Sequence, residues 1–285
     1  MEYIDFHVHS NFSDGTCTPK QLIELAEEKQ LYAFALTDHD TVEGIPHLLE
    51  AAVNATVKVI PGPELSTAYL ESEQDVHVLG YNIDYHSASF LKHLKNFVDE
   101  RTSRNKKMLA RLHDAGYDIS FEQVERAYPD AVITRAHFAR FMVEKGYASS
   151  MKEAFQKYLA KDTPYYVKRQ LITPMEAVTL IKEAGGIAAL AHPLLYGFDD
   201  EQLCKLIAKM KDCGLDGIEA IYSLHSPDDE QYVKKLAQKF DLAISGGSDF
   251  HGTNKPDIQL GSGKGNLAIP KTLIKELGIN NFPEV

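Results

Sequence analysis

Two histidines one residue apart stand in the first strand-like stretch of the sequence. His7 and His9 lie in the segment DFHVHSNFSDG, and Asp14 follows the second histidine closely. Because successive side chains of a β-strand point to opposite faces, residues two apart share a face. Imidazole and carboxylate groups presented together bind Zn, Mn or Fe ions. The segment therefore predicts one wall of a metal site.

Six more side chains of these types accompany later strand-like stretches. They are His39 in TDHD, Glu64 in PGPE, His77 in DVHVLGY, His192 in LAHP, and Asp249 and His251 in SDFH. Any one histidine could be a hydrogen-bonded structural residue, but together with His7 and His9 these residues include half of the 12 histidines. The nine side chains of both sets offer more ligand atoms than one ion can coordinate. We therefore expect two or three divalent ions bridged by a carboxylate such as Glu64. Mn, Fe or Zn suits the mixed set better than Mg.

An alternation of short apolar strands with amphipathic helices must position these side chains. The predicted strands are Tyr3–Val8, Tyr32–Leu36, Val57–Ile60, Val76–Tyr81, Gly186–Ala191, Gly217–Tyr222 and Leu242–Ser245. The predicted helices are Thr18–Gln30, with Thr18 as N-cap and Pro19 after it, Val42–Ala52, Pro174–Ala184, Glu201–Cys213 and Asp228–Phe240. This alternation favours parallel strands in an α/β barrel or an open sheet. The carboxyl ends of such strands form one rim, where barrels build their active sites.

Between the fourth and fifth strands the pattern is helical throughout. Apolar residues recur at helical spacing from about Ser87 to Tyr166, and strand-like alternation is nearly absent. The segment is too long for a single crossover, although barrel crossovers are the alternative. We therefore predict a helical insertion at 87–166 within a barrel formed by 1–86 and 167–285.

Composition narrows the classes of partner. The chain has 285 residues and a formal net charge of −11, which argues against binding long nucleic acid through a broad basic surface. A short anionic substrate remains compatible with this net charge, because bound cations would reverse the charge at the site. The sequence has 3 cysteines and no long apolar run. We expect a cytoplasmic protein with reduced thiols and no membrane span.

The motifs, in their order along the chain, resemble the PHP (polymerase and histidinol phosphatase) superfamily. They are His7-x-His9, Thr37-Asp-His39-Asp40, His77 with Val-Leu-Gly after it, and Ser248-Asp249-x-His251. The resemblance implies the PHP fold, a distorted seven-stranded TIM-like (β/α)7 barrel that holds up to three metals. The ligand groups that it implies are His7, His9, Glu64 and Asp249 for one ion, Glu64, His77 and His192 for a second, and Asp14, His39 and His251 for a third.

The insertion resembles one branch of this family, which contains 3′,5′-nucleoside bisphosphate phosphatases and the 5′-to-3′ exoribonuclease RNase AM. The segment TRAHFARF carries the likeness. In that branch an arginine and a histidine of the segment bind substrate phosphate, and the matching residues are Arg135 and His137. Arg101 and Arg104 resemble an RxxR stretch of the family. They are predicted to add a second phosphate contact, with a solvated helix face as the alternative.

Some stretches depart from the branch or stay ambiguous. Leu194-Leu195-Tyr196 stands where a basic residue is common, and the loop 252–265 does not align. Both could border the substrate pocket. Lys168 and Arg169, where the chain re-enters the barrel, could contact phosphate or be solvated.

The predicted function is metal-dependent hydrolysis of phosphoesters, with phosphate release from nucleotides such as 3′,5′-bisphosphonucleotides. A hydroxide held between metal ions would attack directly, since no serine or cysteine stands in a nucleophile motif. Asp38 and Asp40 are predicted to orient imidazoles, or Asp40 to cap the next helix. The alternatives are a 5′-3′ exoribonuclease on short RNA, a phosphatase for another small monoester such as histidinol phosphate, and a metal-binding module without catalysis. The oligomeric state stays open.

Overall fold

The computed structural model describes residues 2–72 and 74–283, so the outer bounds 1 and 285 of the predicted barrel lie outside it. The described residues form one sheet whose strands are ordered as in the chain. The strands are β1 (Ile4–Val8), β2 (Ala33–His39), β3 (Lys58–Tyr69), β4 (Gln74–Tyr81), β5 (Ile187–Leu190), β6 (Gly217–Tyr222) and β7 (Ala243–Gly247). All seven predicted strands are therefore confirmed as strands.

The expectation of an all-parallel sheet is wrong for β4. β1, β2 and β3 pair in parallel, as do β5, β6 and β7, but β4 runs antiparallel to both of its neighbours. The reason is the connection: β3 extends to Tyr69 and β4 begins at Gln74. A connection this short can form a hairpin but cannot carry the chain back for a parallel strand.

The sheet closes through hydrogen bonds between β1 and the segment after β7. The Asp249 amide donates to the His7 carbonyl at 2.9 Å, and the His9 amide donates to the Phe250 carbonyl at 3.0 Å. Close approach requires glycine at the end of β7, because a Cβ on Gly247 would lie 2.2 Å from the His7 Cβ. The result is a distorted, nearly closed seven-stranded α/β barrel, as predicted.

Helices surround the barrel and fill the interval between β4 and β5. They are α1 (Pro19–Glu28), α2 (Gly44–Ala52), α3 (Ala88–Asp114), α4 (Phe121–Ala127), α5 (Arg135–Glu144), α6 (Met151–Ala154), α7 (Pro174–Glu183), α8 (Asp200–Asp212), α9 (Pro227–Lys239) and α10 (Thr272–Glu276). Thr18 caps α1 with Pro19 in its first turn, as predicted. Glu43, rather than Asp40, precedes α2, so the interpretation of Asp40 as a helix cap is wrong.

Helix α3 joins two apolar cores. Phe90, Leu94 and Phe97 in its first half pack in the core between the sheet and its outer helices. Met108 and Leu112 in its second half pack in a separate core with residues of α4 and α5. The division of the chain into a barrel and an insertion domain stays a prediction, and this helix would link the two parts firmly. No helix in the described ranges is long and apolar enough to cross a membrane.

Candidate active site

The nine side chains singled out in the sequence converge at one end of the barrel. His7 and His39 lie at the ends of β1 and β2, while His192 and Asp249 follow β5 and β7. Glu64 was expected at the end of its strand but lies inside β3, which continues past the rim to pair with β4. The rest of the set also follows or lies on a strand: His9, Asp14, His77 and His251.

The Glu64 carboxylate lies at the centre of this cluster. Its Oε2 atom is 3.2 Å from His7 Nε2, 3.2 Å from His9 Nε2 and 3.1 Å from His39 Nδ1. Its Oε1 atom is 2.8 Å from His77 Nδ1 and 3.0 Å from His192 Nε2. Burial alone would raise the pKa of Glu64, but the neighbouring histidines hold it well below its usual range. An ionised carboxylate ringed by imidazoles can bridge metal ions.

Two further carboxylates complete the cluster on the side of His251. Asp249 Oδ1 is 3.2 Å from His251 Nδ1 and 3.5 Å from His9 Nε2. Asp14 Oδ1 is 3.2 Å from His251 Nε2 and 3.7 Å from His39 Nε2. Burial alone would raise the pKa values of both aspartates, but their neighbours hold them well below the usual range. These neighbours are His39 and His251 for Asp14, and Lys255 followed by His251 and His7 for Asp249.

Several of these buried polar atoms make no hydrogen bond although other donors and acceptors lie close. They are His7 Nε2, His9 Nε2, Asp14 Oδ1, His39 Nδ1 and His192 Nδ1. A buried polar group without a hydrogen bond is costly in free energy, and native proteins rarely keep several together. Divalent cations would satisfy those of these atoms that face the cluster, such as His7 Nε2 and His9 Nε2, so the residues present fit a metal centre.

Four overlapping groups bring one ligand atom per residue to within 4.8 Å of the others. They are His9, Asp14, His39 and His251; His7, His9 and Asp249; His7, Glu64 and His192; and His39, Glu64 and His77. The first group contains the implied set of Asp14, His39 and His251. The second holds three of the four residues implied for another ion and lacks Glu64. The implied set of Glu64, His77 and His192 is split between the last two groups, although both imidazoles contact Glu64 Oε1, at 2.8 and 3.0 Å. The assignment of ligands to particular ions stays a prediction.

Glu219 on β6 is a residue that the sequence analysis missed. Its side chain is fully buried, its Oε1 atom lies 3.0 Å from His7 Nδ1, and its Oε2 atom accepts from the His192 amide at 2.7 Å. A carboxylate on one imidazole nitrogen fixes the ring and leaves the other nitrogen to face the metal centre. The signal was available, since Glu219 is the only charged residue in the apolar stretch Gly217–Tyr222.

Asp38 supports the cluster indirectly. Its carboxylate accepts from the hydroxyls of Ser10 and Ser13 at 2.6 Å each, and Ser13 Oγ lies 3.5 Å from His9 Nδ1. Asp38 thus holds the loop after β1, and it reaches the His9 imidazole only through Ser13, so its orienting role stays a prediction.

The loop that could not be aligned also reaches the cluster. Lys255 Nζ donates to Asp249 Oδ2 at 2.6 Å, and the Tyr222 hydroxyl donates to the same oxygen at 2.8 Å. The Gly261 amide donates to the buried Asp5 carboxylate at 2.7 Å. The loop thus orients Asp249 and anchors the first strand. Tyr196, which also departs from the branch, is buried with its hydroxyl donating to the Ala191 carbonyl at 2.7 Å.

A cavity of about 360 Å³ opens beside the cluster, and its far wall is cationic. Asp14, His39 and His77 border it on one side. The basic residues that line it are Arg101, Arg104, Arg135, Lys161, Lys168 and Arg169. Arg104 is predicted to bind phosphate, and it does face this cavity.

Arg101 and Arg169 are paired with a buried carboxylate, whereas Arg104 is not. Both guanidinium groups pair with Oδ2 of Asp40, and the distance from Nη1 of Arg169 to that oxygen is 3.1 Å. Among the described residues Arg104 makes one side-chain hydrogen bond, from Nη1 to the Met108 sulfur at 3.4 Å, and its buried Nε has no partner. Burial, followed by repulsion from Arg101 and Arg135, lowers the pKa of Arg104 to about 9.

Arg135 and His137 occupy different places although they share one helical turn. Arg135 lines the cavity, with Nη2 3.7 Å from Asp75 and its guanidinium over the ring of Tyr166. His137 is buried outside the lining of this cavity, and its Nδ1 accepts from the Thr134 amide at 2.9 Å. The geometry thus brings Arg135, but not His137, to the cavity. The phosphate role of His137 stays a prediction without geometric support.

Comparison with known proteins now identifies the class. The fold and the cluster are those of a metal-dependent phosphoesterase, and the model of the PHP domain matches residues 5–213. The chain belongs to the PHP domain family. It is therefore a hydrolase, and the alternative of a metal-binding module without catalysis is set aside.

Two relatives and one solved structure support this assignment. The chain is 35% identical over 225 residues to the 5′-3′ exoribonuclease Rnm of Salmonella typhimurium, covering 78% of this chain and 76% of the relative. It is 34% identical over 227 residues to a 3′,5′-nucleoside bisphosphate phosphatase of Chromobacterium violaceum, covering 79% of each. A structure assigned as a metal-dependent phosphoesterase from Bifidobacterium adolescentis superposes with a TM-score of 0.85 at 28% identity, covering 97% of this chain and 95% of that one.

Proposed function

We propose that the protein releases phosphate from small nucleotides that carry two phosphate groups, of the 3′,5′-bisphosphonucleotide type. The observation that carries this proposal is the cationic wall opposite the His/Asp/Glu cluster. A phosphoryl group bound at the cluster leaves the arginines free to bind a second anionic group of the same molecule. One of the relatives is named for this activity.

The charge balance of the cavity favours a second phosphate. Four guanidinium groups line the cavity; within the described part of the chain Arg101 and Arg169 share the Asp40 carboxylate, Arg135 lies beside Asp75, and Arg104 pairs with no carboxylate. Arg101 and Arg104 are buried, so their charges are poorly solvated and gain from an anionic partner. Guanidinium groups suit phosphate because they donate two parallel hydrogen bonds to its oxygens.

The nine clustered residues would hold two or three ions of Mn, Fe or Zn. Such ions supply water that ionises near neutral pH and offset charge on phosphoryl oxygens. The chain itself orients the centre: Glu219 holds His7, and Lys255 and Tyr222 hold Asp249. Thr134 Oγ1 donates to Asp14 Oδ2 at 3.2 Å, which ties the start of α5 to the same centre. Arg104 and Arg135 would bind substrate phosphate, as predicted.

The size of the cavity argues for a small substrate. At about 360 Å³ it lies at the lower end of ordinary ligand pockets. A short RNA with a 5′ phosphate could use the same groups, and another relative is named an exoribonuclease, so this activity is the second candidate. Histidinol phosphate has a single phosphate, so with that group at the cluster no second phosphate would reach the arginines. A cytoplasmic location stays a prediction.

A phosphate-release screen tests the proposal. Purified protein with added Mn²⁺ is assayed on adenosine 3′,5′-bisphosphate, adenosine 5′-monophosphate, histidinol phosphate and a 5′-phosphorylated RNA of several nucleotides. We expect the highest kcat/KM for the bisphosphate. A clear preference for histidinol phosphate, or shortening of the RNA without turnover of the bisphosphate, would reject the proposed substrate class.

A further inference from the structure

Asp40 is a buried carboxylate at the junction between the barrel and the helices after β4. It directly follows the last residue of β2 and has a left-handed backbone with φ of 54°. Aspartate and asparagine adopt this conformation more readily than most residues. Asp40 is completely buried, so each of its carboxylate oxygens must find partners inside the protein.

The two oxygens of Asp40 hold three different segments. Oδ1 accepts from the Ser66 amide on β3 at 2.7 Å. Oδ2 accepts from Arg101 on α3 and, at 3.1 Å, from Arg169 in the segment that returns to the barrel. Arg101 Nη2 also donates to the Ser66 hydroxyl at 3.0 Å. One carboxylate oxygen therefore brings together two guanidinium groups that line the cavity.

Without this oxygen the two guanidinium groups would repel each other. Their charges lie close in a poorly solvated place, where like charges interact more strongly than in water. Arg104 stands three residues after Arg101 on the same helix, so the two share a face of α3. The direction of the Arg104 side chain thus depends on where Asp40 holds α3 and Arg101.

We propose that Asp40 is a positioning residue for substrate recognition: it assembles Arg101 and Arg169, and through α3 also Arg104, into a preformed site for the non-reacting phosphate. The proposal rests on the proposed function above, because it assigns that phosphate to the arginine wall. Asp40 acts through the arginines, and it does not itself touch substrate. Preformed donors avoid the cost of ordering side chains on binding.

The test compares Asp40→Asn with the wild-type protein on two substrates. Asparagine keeps the left-handed backbone and an oxygen for the Ser66 amide but removes the charge. For adenosine 3′,5′-bisphosphate we expect KM to rise at least about tenfold, as for a lost charged hydrogen bond, with kcat little changed. For p-nitrophenyl phosphate, which has no second phosphate, kcat/KM should change less than about threefold. Asp99→Asn is the matched control, since it removes an exposed carboxylate paired with Lys95 on the same helix.

A double-mutant cycle separates positioning from general destabilisation. Arg101→Gln should raise KM for the bisphosphate, and adding Asp40→Asn should then raise it by less than the same substitution does in the wild type, because only Arg169 still depends on Asp40. The proposal would be overturned by fully additive increases in KM in the double variant. It would also be overturned if Asp40→Asn lost kcat/KM equally on both substrates or contained less metal. Tighter binding of the bisphosphate by Asp40→Asn would also overturn it, because Asp40 would then act as a competing anion.

A binding measurement keeps this proposal distinct from the proposed function. Inorganic pyrophosphate is titrated into metal-loaded wild-type and Asp40→Asn proteins, and thermal unfolding is followed. If no nucleotide is hydrolysed but pyrophosphate stabilises the wild type at about tenfold lower concentration than the variant, the substrate class is wrong and the role of Asp40 stands. Equal stabilisation of both proteins contradicts the role of Asp40.

Discussion

The Nδ1 atom of His7 lies 3.0 Å from Oε1 of Glu219, on the strand beside the one that closes the barrel. This contact leaves His7 Nε2 facing Glu64 at 3.2 Å. The same Glu219 side chain accepts from the amide of His192, so one buried carboxylate orients two histidines of the cluster. The centre therefore depends on residues that need not touch an ion.

Replacing Glu219 with glutamine should weaken metal binding. The substitution keeps the volume of the side chain, but a neutral amide holds the imidazole less firmly, and changes of this kind typically cost about 10–100-fold in metal affinity or activity. We expect Glu219→Gln to need a higher Mn²⁺ concentration for half-maximal activity, measured by metal titration. Glu230→Gln, which removes a carboxylate paired with Lys234 on α9, is the control. An unchanged Mn²⁺ requirement in Glu219→Gln would show that the contact is not needed.

Truncation of the cluster itself should abolish both metal binding and hydrolysis. His9→Ala removes a side chain that belongs to two of the donor groups, and Asp249→Ala removes one that belongs to a single group. We expect both to lose hydrolysis and to contain less metal, measured by elemental analysis and phosphate release. His113→Ala, at an exposed histidine of α3, should match the wild type. Normal turnover with unchanged metal content in either cluster variant would refute the site assignment.

Arg104 should matter more for substrate binding than Arg135. Arg104 is buried and has no carboxylate partner among the described residues, whereas Arg135 is partly satisfied by Asp75 and by the Leu159 carbonyl. We expect Arg104→Gln and Arg135→Ala to raise KM for the bisphosphate more than they lower kcat. The loss of binding free energy should be about 1.5–3 kcal/mol for Arg104→Gln and less for Arg135→Ala. Arg126→Gln, at an exposed position of α4, serves as the control. The reverse order of the two effects would be inconsistent with this geometry.

Gly247 should be intolerant of any side chain. A Cβ there would lie 2.2 Å from the His7 Cβ and 2.6 Å from the His7 backbone nitrogen, where β7 closes against β1. We expect Gly247→Ala to lose about 1–3 kcal/mol of unfolding free energy, as for overpacking elsewhere, and to bind metal less well because His7 is displaced. Denaturant unfolding and metal titration measure the two effects. If Gly247→Ala were as stable as the wild type and bound metal normally, the barrel would close with a wider separation of β1 and β7 than the structure shows.

The sequence predicted most of the cluster because the donors share a simple relation to strands. His7 and His9 could be placed on one face from their spacing, and no distant information was needed. The direction of β4 could not be found in the same way, because the strand pattern of Val76–Tyr81 is the same in either direction. Only the extension of β3 to Tyr69 makes the connection a hairpin.

Contacts between segments that are distant in the chain could not be predicted from the sequence. Asp40 was expected to orient an imidazole or cap a helix, since its neighbour is His39. Its actual partners, Arg101 and Arg169, lie 61 and 129 residues away in the chain. Nothing local to Asp40 indicates that contact, because it depends on how α3 and the returning segment fold over the rim.

Metal stoichiometry tests the central claim most directly. The account holds that the nine clustered residues bind two or three divalent ions that the phosphoesterase activity needs. Elemental analysis of the purified protein, before and after dialysis against a chelator and again after Mn²⁺ is restored, measures the ions per chain alongside phosphate release. The account predicts two to three ions per chain and an activity that is lost with the metal and recovered with it. Less than one ion per chain, with phosphoester hydrolysis unaffected by the chelator, would contradict it.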